Sequence, residues 1–140
     1  MNIVGFTGTR NGMTKRQEER LISILNEIKL PAQFHHGDCI GSDAEAHDIA
    51  SKLGYRTIAH PGTDNTGKSP LRAYCKAAEI REARPYLLRN MDIVDEAEIV
   101  IATPKESTEQ RRSGTWQAIR YARRKGKKLI ILSPEGKWIS

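Results

Sequence analysis

The sequence predicts an α/β fold: a Rossmann-like three-layer sandwich with helices on both faces of a mostly parallel central sheet. Short segments rich in Val, Ile and Phe alternate along the chain with longer segments whose apolar residues recur at helical spacing. The strand segments are apolar and β-branched, as is typical of strands buried on both faces. Right-handed crossovers then bring every strand-to-helix loop to one sheet edge, where open α/β sheets bind ligands.

The first half of the chain shows this alternation most clearly. Apolar segments predict strands at 2–6, 32–36 and 55–60, and helical spacing predicts helices over 14–28 and 42–53. Each predicted helix begins with the spacing of a capping box: Thr14 with Gln17, and Ser42 with Glu45.

The second half continues the pattern. A helix is expected over 85–97, because Pro85 suits a first helical turn, and a buried strand over 98–103. A helix over 114–125 and a strand over 128–132 follow, and residues 134–140 are expected to add a short edge strand through Trp138 and Ile139.

Two polar segments, 62–84 and 105–113, separate these elements. A long loop in a compact α/β domain is more often functional than accidental. For residues 71–83, a short helix is the alternative to an open loop.

The composition is that of an ordinary globular domain. Its 140 residues fit one domain, 1–140, that can bury a core without a disulfide or metal. The longest apolar runs are only a few residues, so we expect no membrane partner. Cys39 and Cys75 lie far apart in the sequence, which favours free thiols in a reducing compartment and a cytoplasmic location.

The net charge of +6 suits a phosphate-rich partner, either a nucleotide or a nucleic acid. Much of the excess lies at 123–128, where a predicted helix ends. Cations there stabilise the helix dipole without binding anything, so charge alone leaves both interpretations open.

Four loops at the predicted ligand edge carry small or polar residues. In the first, Gly8, Thr9 and Arg10 follow the opening strand, so backbone amides could approach an anion and the arginine could neutralise it. The alternative is a tight turn that needs glycine for its backbone geometry.

The second loop contains Gly37, Asp38, Gly41, Ser42 and Asp43. Its last residues open a helix, whose first turn offers unpaired amides and a partial positive charge to a ligand. Asp43 could instead interact with the helix dipole.

The remaining two loops add Arg89 with Asn90, and Ser113, Gly114 and Thr115. Arg89 could contact phosphate or sugar oxygens with two nitrogens, or form a surface ion pair. The hydroxyls and amides of the last three residues could hold a phosphate beside Arg111 and Arg112, and the following Trp116 is either a base-stacking or a core residue.

A zinc site is an alternative use of the residues around the second loop: His35, His36, Asp38, Cys39 and His47. Their spacing matches no compact ligand pattern, and strand alternation sends His35 and His36 to opposite faces. We therefore expect no metal and no resident cofactor.

Three motifs, in order, resemble the SLOG superfamily, which joins the DprA/Smf proteins and the lonely-guy phosphoribohydrolases. The segment 41–50 is similar to the DprA/Smf pattern GxDxxAHxxA, and Arg89-Asn90 with the strand at 98–102 to its RNRxIA region. Ser113-Gly114-Thr115 resembles the start of SGxxxTA. The overall order is similar to stand-alone phage and bacterial members.

The lonely-guy resemblance implies a catalytic role for Arg89, which falls on that family's catalytic arginine. The family's glutamate position is Ala118 here, with Asp38, Glu106 or Glu109 as possible substitutes. Enzymatic activity as a nucleotide N-glycosidase is therefore an alternative, and DprA-like single-stranded DNA binding is another. The leading hypothesis is binding of a nucleotide or nucleotide-derived ligand, by a homo-oligomer as the resemblance implies.

Overall fold

The computed structural model describes residues 2–139. The elements are β1 (Asn2–Gly8), α1 (Lys15–Glu27), β2 (Ala32–His36), α2 (Ser42–Lys52), β3 (Arg56–Ala59), β4 (Gly62–Thr63), β5 (Glu79–Ile80), β6 (Arg84–Pro85), α3 (Tyr86–Glu96), β7 (Ile99–Thr103), α4 (Gly114–Arg124), β8 (Lys128–Leu132) and β9 (Trp138–Ile139). Over this range, seven strands form the central sheet in the order β5-β3-β2-β1-β7-β8-β9. Only the β8–β9 pairing in it is antiparallel. The Rossmann-like prediction is confirmed.

The chain moves outward from β1 to β2 and β3, then returns to place β7 on the other side of β1. The loops that follow β1 and β7 therefore diverge, which opens a crevice at the carboxyl ends of these strands. This topological switch point is where an open parallel sheet accommodates a ligand.

The two faces of the sheet have separate apolar cores. On one face, Phe6 and Phe34 pack with Leu21 of α1 and Ala50 of α2. On the other face, α3 and α4 cover β7 and β8, in two clusters that include Val94, Val100, Trp116 and Ile131. Trp116 is 2% exposed, so its indole is a core side chain.

Gly5 lets α3 approach the sheet closely. A Cβ at this position would lie 2.9 Å from Ala97 Cβ and 3.1 Å from Ile93 Cγ2. Glycine in β1 thus sets the distance between the sheet and the helix that carries Arg89.

One predicted capping box is confirmed and the other is wrong. Thr14 Oγ1 accepts from Gln17 N at 3.1 Å, and Gln17 Oε1 accepts from Thr14 N at 2.9 Å. Ser42, in contrast, lies inside α2 and donates to the Thr9 carbonyl at 2.6 Å. Glu45 accepts from Met13 N at 2.7 Å, so tertiary partners replace the local cap.

The alternative of a short helix over 71–83 is also wrong, because this segment is mainly irregular in the structure. Its end pairs with β3 as the two-residue strand β5.

Pro85 is the N-cap of α3 and not a first-turn residue. The predicted edge strand at Trp138 and Ile139 is confirmed. No described helix is long and apolar enough to cross a membrane.

Candidate ligand-binding site

A cavity of about 500 Å³ lies at the switch point. Of the residues expected there from the sequence, it is lined by Gly8, Thr9, Arg10, Gly37, Asp43, Arg89, Asn90, Ser113, Gly114 and Thr115. These residues come from both halves of the chain, since the parallel strands end at the same edge. The structure therefore brings most of the expected site residues to one place.

The wall formed by α4 is suited to an anion. Gly114 and Thr115 are the first two residues of the helix, where backbone amides have no intrahelical acceptor. Ser113 is the N-cap, and its Oγ accepts from Trp116 N at 3.2 Å, which leaves the two preceding amides for a ligand. The partial positive charge of the helix end adds to this preference.

Three exposed basic side chains of the lining have no counter-ion in the described part of the chain. Arg10, Lys105 and Arg112 form no ion pair within residues 2–139. Arg10, Lys105 and Arg112 are all exposed, so their charge is available to a ligand entering from solvent. Arg10 was among the site residues expected from the sequence, Arg112 was expected only as a charge beside them, and Lys105 lay in a loop of unassigned role.

Arg89 forms part of the floor of the cavity and is only 6% exposed. Its Nη1 donates to the carbonyls of Gly37 and His60, the latter at 3.0 Å, and Nε donates to Asn90 Oδ1 at 2.8 Å. Nη2 lies 3.8 Å from Cys39 Sγ. These contacts hold the guanidinium in a single orientation at the cavity.

Asp43 is buried beside this arginine. Its Oδ2 accepts from Gly37 N at 3.1 Å and from Cys39 N at 3.3 Å. Burial raises the pKa of Asp43 to about 6, against the opposing effect of the Arg89 guanidinium. A carboxyl group that changes protonation near neutral pH therefore borders the cavity.

Three other expected site residues lie behind the cavity wall. Gly41 has φ of 86°, and a Cβ on it would lie 2.8 Å from Arg10 Cα. Both the amide and the hydroxyl of Ser42 donate to the Thr9 carbonyl. Gly41 and Ser42 thus stabilise the β1–α1 turn, through close packing on Arg10 and hydrogen bonds to Thr9.

The third of these residues, Asp38, anchors the segment that follows β4. Its carboxylate accepts from Arg72 Nε at 2.8 Å and from Cys75 N at 2.8 Å. The Leu71 carbonyl accepts from Ile40 N at 2.8 Å, and Leu71 lines the cavity. Asp38 therefore shapes the cavity through this segment.

Several lining residues were not among those expected from the sequence. They are Phe6, Thr7, Asn11, Cys39, Leu71, Tyr86, Ile93, Lys105, Glu106 and Arg112. Tyr86 packs against Arg89, with the guanidinium 5.4 Å from its ring centre, and its buried hydroxyl has no partner in the described part of the chain. The sequence shows an aromatic residue at the start of α3, but helical spacing alone does not tell whether its side chain faces the cavity.

The three candidate substitutes for the lonely-guy glutamate lie in different surroundings in the structure. Glu106 lines the cavity, whereas Glu109 pairs with Arg120 and Asp38 with Arg72. Ala118 is buried in α4.

The expected separation of His35 and His36 to opposite faces of the sheet is confirmed, and each ring is hydrogen-bonded to another histidine. His35 lies 2.8 Å from His60 and His36 lies 3.0 Å from His47. Burial lowers the pKa of His36 and of His60 to about 3, so both rings are neutral at neutral pH.

No protein-family model and no curated protein matches this sequence. Three solved structures do match, each over nearly the whole chain. The molybdenum cofactor binding protein from Rippkaea orientalis has a TM-score of 0.70 at 19% identity, covering 94% of this chain and 76% of that one. The protein TM1055 has a TM-score of 0.64 at 15% identity, covering 94% of this chain and 74% of that one.

DNA processing protein A (DprA) from Streptococcus pneumoniae has a TM-score of 0.66 at 20% identity over 93% of this chain. The match spans about half of DprA, 49% of its length. The fold thus defines a Rossmann-like protein with a cavity at the switch point. More particularly, its fold is similar to those of these three proteins, each at 20% identity or below.

Proposed function

We propose that the cavity binds a nucleotide or a nucleotide-derived molecule through its phosphate. The observation that carries this proposal is the convergence on one cavity of three cations that are unpaired within residues 2–139 and the first-turn amides of α4. Phosphate is the common biological anion that both features recognise. The cavity volume of about 500 Å³ is within the range of small-molecule sites.

Other parts of the lining suit the rest of such a ligand. Leu71, Tyr86 and Ile93 provide apolar contacts for a base. Asn90 and Asp43 provide polar atoms for a ribose. The similarity to a cofactor-binding protein supports ligand binding in this fold without specifying the ligand.

Calorimetric titration with nucleoside mono- and diphosphates, NAD fragments and cyclic nucleotides tests the proposal. Arg112→Ala should weaken binding about tenfold or more, because it removes a charged hydrogen-bond donor. Arg20→Ala is the matched control, since Arg20 is an exposed arginine on α1 outside this cavity. Absence of binding at millimolar ligand, or equal losses in both variants, contradicts the proposal.

Hydrolysis of the N-glycosidic bond is the second candidate, favoured by two carboxyl groups at the same cavity. Glu106 lines it from the α4 side, and Asp43 has its pKa raised to about 6 beside Arg89. Either group could move a proton during base release. Chromatography should then detect free base from a nucleotide mixture, with loss of activity in Glu106→Gln or Asp43→Asn. A silent assay across the mixture removes this candidate.

Binding of single-stranded DNA is the third candidate, because the same unpaired cations would attract a phosphate backbone. It predicts oligonucleotide binding that weakens steeply as salt rises. Binding that is absent at low salt excludes it.

Self-association is part of the proposal. Leu87, Leu88 and Met91 on the outer side of α3 are 56%, 42% and 37% exposed, an apolar surface suited to a second copy. Light scattering should report a mass above that of one chain, decreasing in Leu87→Ser. A monomer at high concentration contradicts it.

A further inference from the structure

A second cavity, of about 330 Å³, lies beside the carboxyl end of β3 and shares Arg89 with the ligand cavity. His60 and Glu96 line it. Nδ1 of His35, Nε2 of His60 and a carboxylate oxygen of Glu96 all lie within 4.8 Å of one another. Two imidazoles and a carboxylate are a ligand set that zinc and related divalent metals accept.

The tautomer of His35 leaves its Nδ1 available for coordination. Nε2 lies 2.9 Å from Gln33 Oε1, an oxygen that only accepts, so Nε2 carries the proton. Nδ1 therefore presents a lone pair, which accepts from His60 Nε2 at 2.8 Å. Metal-binding histidines usually donate their other ring N–H to such an acceptor, which orients the ring. On binding metal, His60 needs only to move its proton to its own Nδ1.

A comparable trio, His36, His47 and Cys75, is not arranged for coordination. Asp38 N donates to His36 Nδ1 at 3.0 Å, so Nε2 carries the proton and donates to His47 Nδ1. Coordination through His36 Nε2 would require an imidazolate. Burial also raises the pKa of the Cys75 thiol to about 12, which opposes formation of the thiolate that binds metal.

Arg81 would compete with a metal ion for the Glu96 carboxylate. Its Nη1 and Nη2 each lie 2.9 Å from a carboxylate oxygen. The Arg81 side chain is 38% exposed, so water screens this ion pair and the pair contributes little stability. Coordination by two imidazoles and a carboxylate is much stronger, so a metal would displace the guanidinium towards solvent. Glu82 and Asp92 in the same cavity offset part of the positive charge around it.

We infer that His35, His60 and Glu96 form a three-ligand site for a zinc-like divalent cation, with water from the cavity in the fourth position. A bound metal would restrain His60, whose carbonyl accepts from Arg89 at 3.0 Å. The site thus holds the floor of the ligand cavity in place. The inference is independent of which molecule occupies that cavity.

Calorimetric titration of Zn²⁺ into the chelator-treated chain tests this site, with Co²⁺ absorption as a report of ligand type. One Zn²⁺ should bind per chain. Glu96→Gln should weaken binding about tenfold or more, because even loss of a residue that only supports a ligand costs on the order of 10- to 100-fold. Glu82→Gln is the matched control and should weaken binding far less than Glu96→Gln, since Glu82 borders the cavity outside the trio and contributes only its charge. Arg81→Ala should tighten binding because it releases Glu96.

Three results overturn the inference. They are absence of Zn²⁺ binding at submillimolar metal, equal affinities of Glu96→Gln and Glu82→Gln, and a thiolate-to-cobalt charge-transfer band that Cys75→Ser removes. His60→Gln should abolish binding. If circular dichroism shows that this variant is unfolded, the comparison of Glu96→Gln with Glu82→Gln decides, because both carboxylates reach solvent.

Discussion

The Arg89 guanidinium and the Asp43 carboxylate meet at Gly37. A Cβ on this glycine would lie 2.8 Å from Arg89 Cζ and 2.8 Å from Asp43 Oδ2. Gly37 is thus required by the two side chains that border the ligand cavity. Its main-chain N–H and carbonyl also bind them, since N donates to Asp43 and the carbonyl accepts from Arg89.

Gly37→Ala should therefore lower the free energy of unfolding by about 1–3 kcal/mol, the usual cost of overpacking. It should also weaken ligand binding by displacing Arg89. For stability, Gly114→Ala is the control, because a Cβ there meets nothing within 4 Å. Urea unfolding measures the change in stability and calorimetric titration the change in ligand binding, and equal stability of the two variants would show that the close packing at Gly37 is unimportant.

Arg72→Ala should release the segment that Asp38 anchors. Asp38 is 1% exposed, and removing the partner of a buried charge costs about 3 kcal/mol or more. Hydrogen exchange should accelerate at the amides of Ala73 and Cys75, which bond to Asp38. Arg84→Ala removes the more exposed pair with Asp92 and should cost about 1 kcal/mol or less. Unchanged exchange in Arg72→Ala would contradict the anchoring role.

Stability should fall in alkaline solution because of Tyr55. Its hydroxyl donates to the Leu25 carbonyl at 2.6 Å, and burial raises its pKa from 10.0 to about 12. The folded state therefore retains a proton that the unfolded chain releases above pH 10.0. This contribution is fully present below pH 10.0 and is lost as the pH rises towards about 12, with a slope of at most about 1.4 kcal/mol per pH unit.

Tyr55→Phe should flatten this alkaline decline and lower stability near neutral pH by about 1 kcal/mol, the contribution of one hydrogen bond. Cys75, whose pKa is also raised to about 12, adds a similar decline above pH 9.0 that Cys75→Ser removes. Urea unfolding from pH 8 to 11 measures the slopes. Identical slopes of unfolding free energy against pH in the unsubstituted protein, Tyr55→Phe and Cys75→Ser would show that these groups do not titrate as described.

Local sequence signals were reliable where a partner lies within a few residues. The Thr14–Gln17 capping box formed because both groups belong to one helical turn. The same spacing at Ser42 and Glu45 failed, since the Thr9 carbonyl and Met13 amide lie within reach and bind these side chains instead. Residues 71–83 form no helix because Asp38 and β3 supply hydrogen-bond partners from elsewhere.

The order of strands and helices, and hence the edge where the polar loops gather, was determined by the sequence, because apolar periodicity reports burial on each element. Which side chains face the cavity was decided by tertiary structure alone. Asp38 forms an ion pair with Arg72, and Tyr86 packs against Arg89. His35 is hydrogen-bonded to His60, which directly follows the neighbouring strand β3. Contacts between residues distant in sequence depend on the packing distance between elements, which no local pattern encodes.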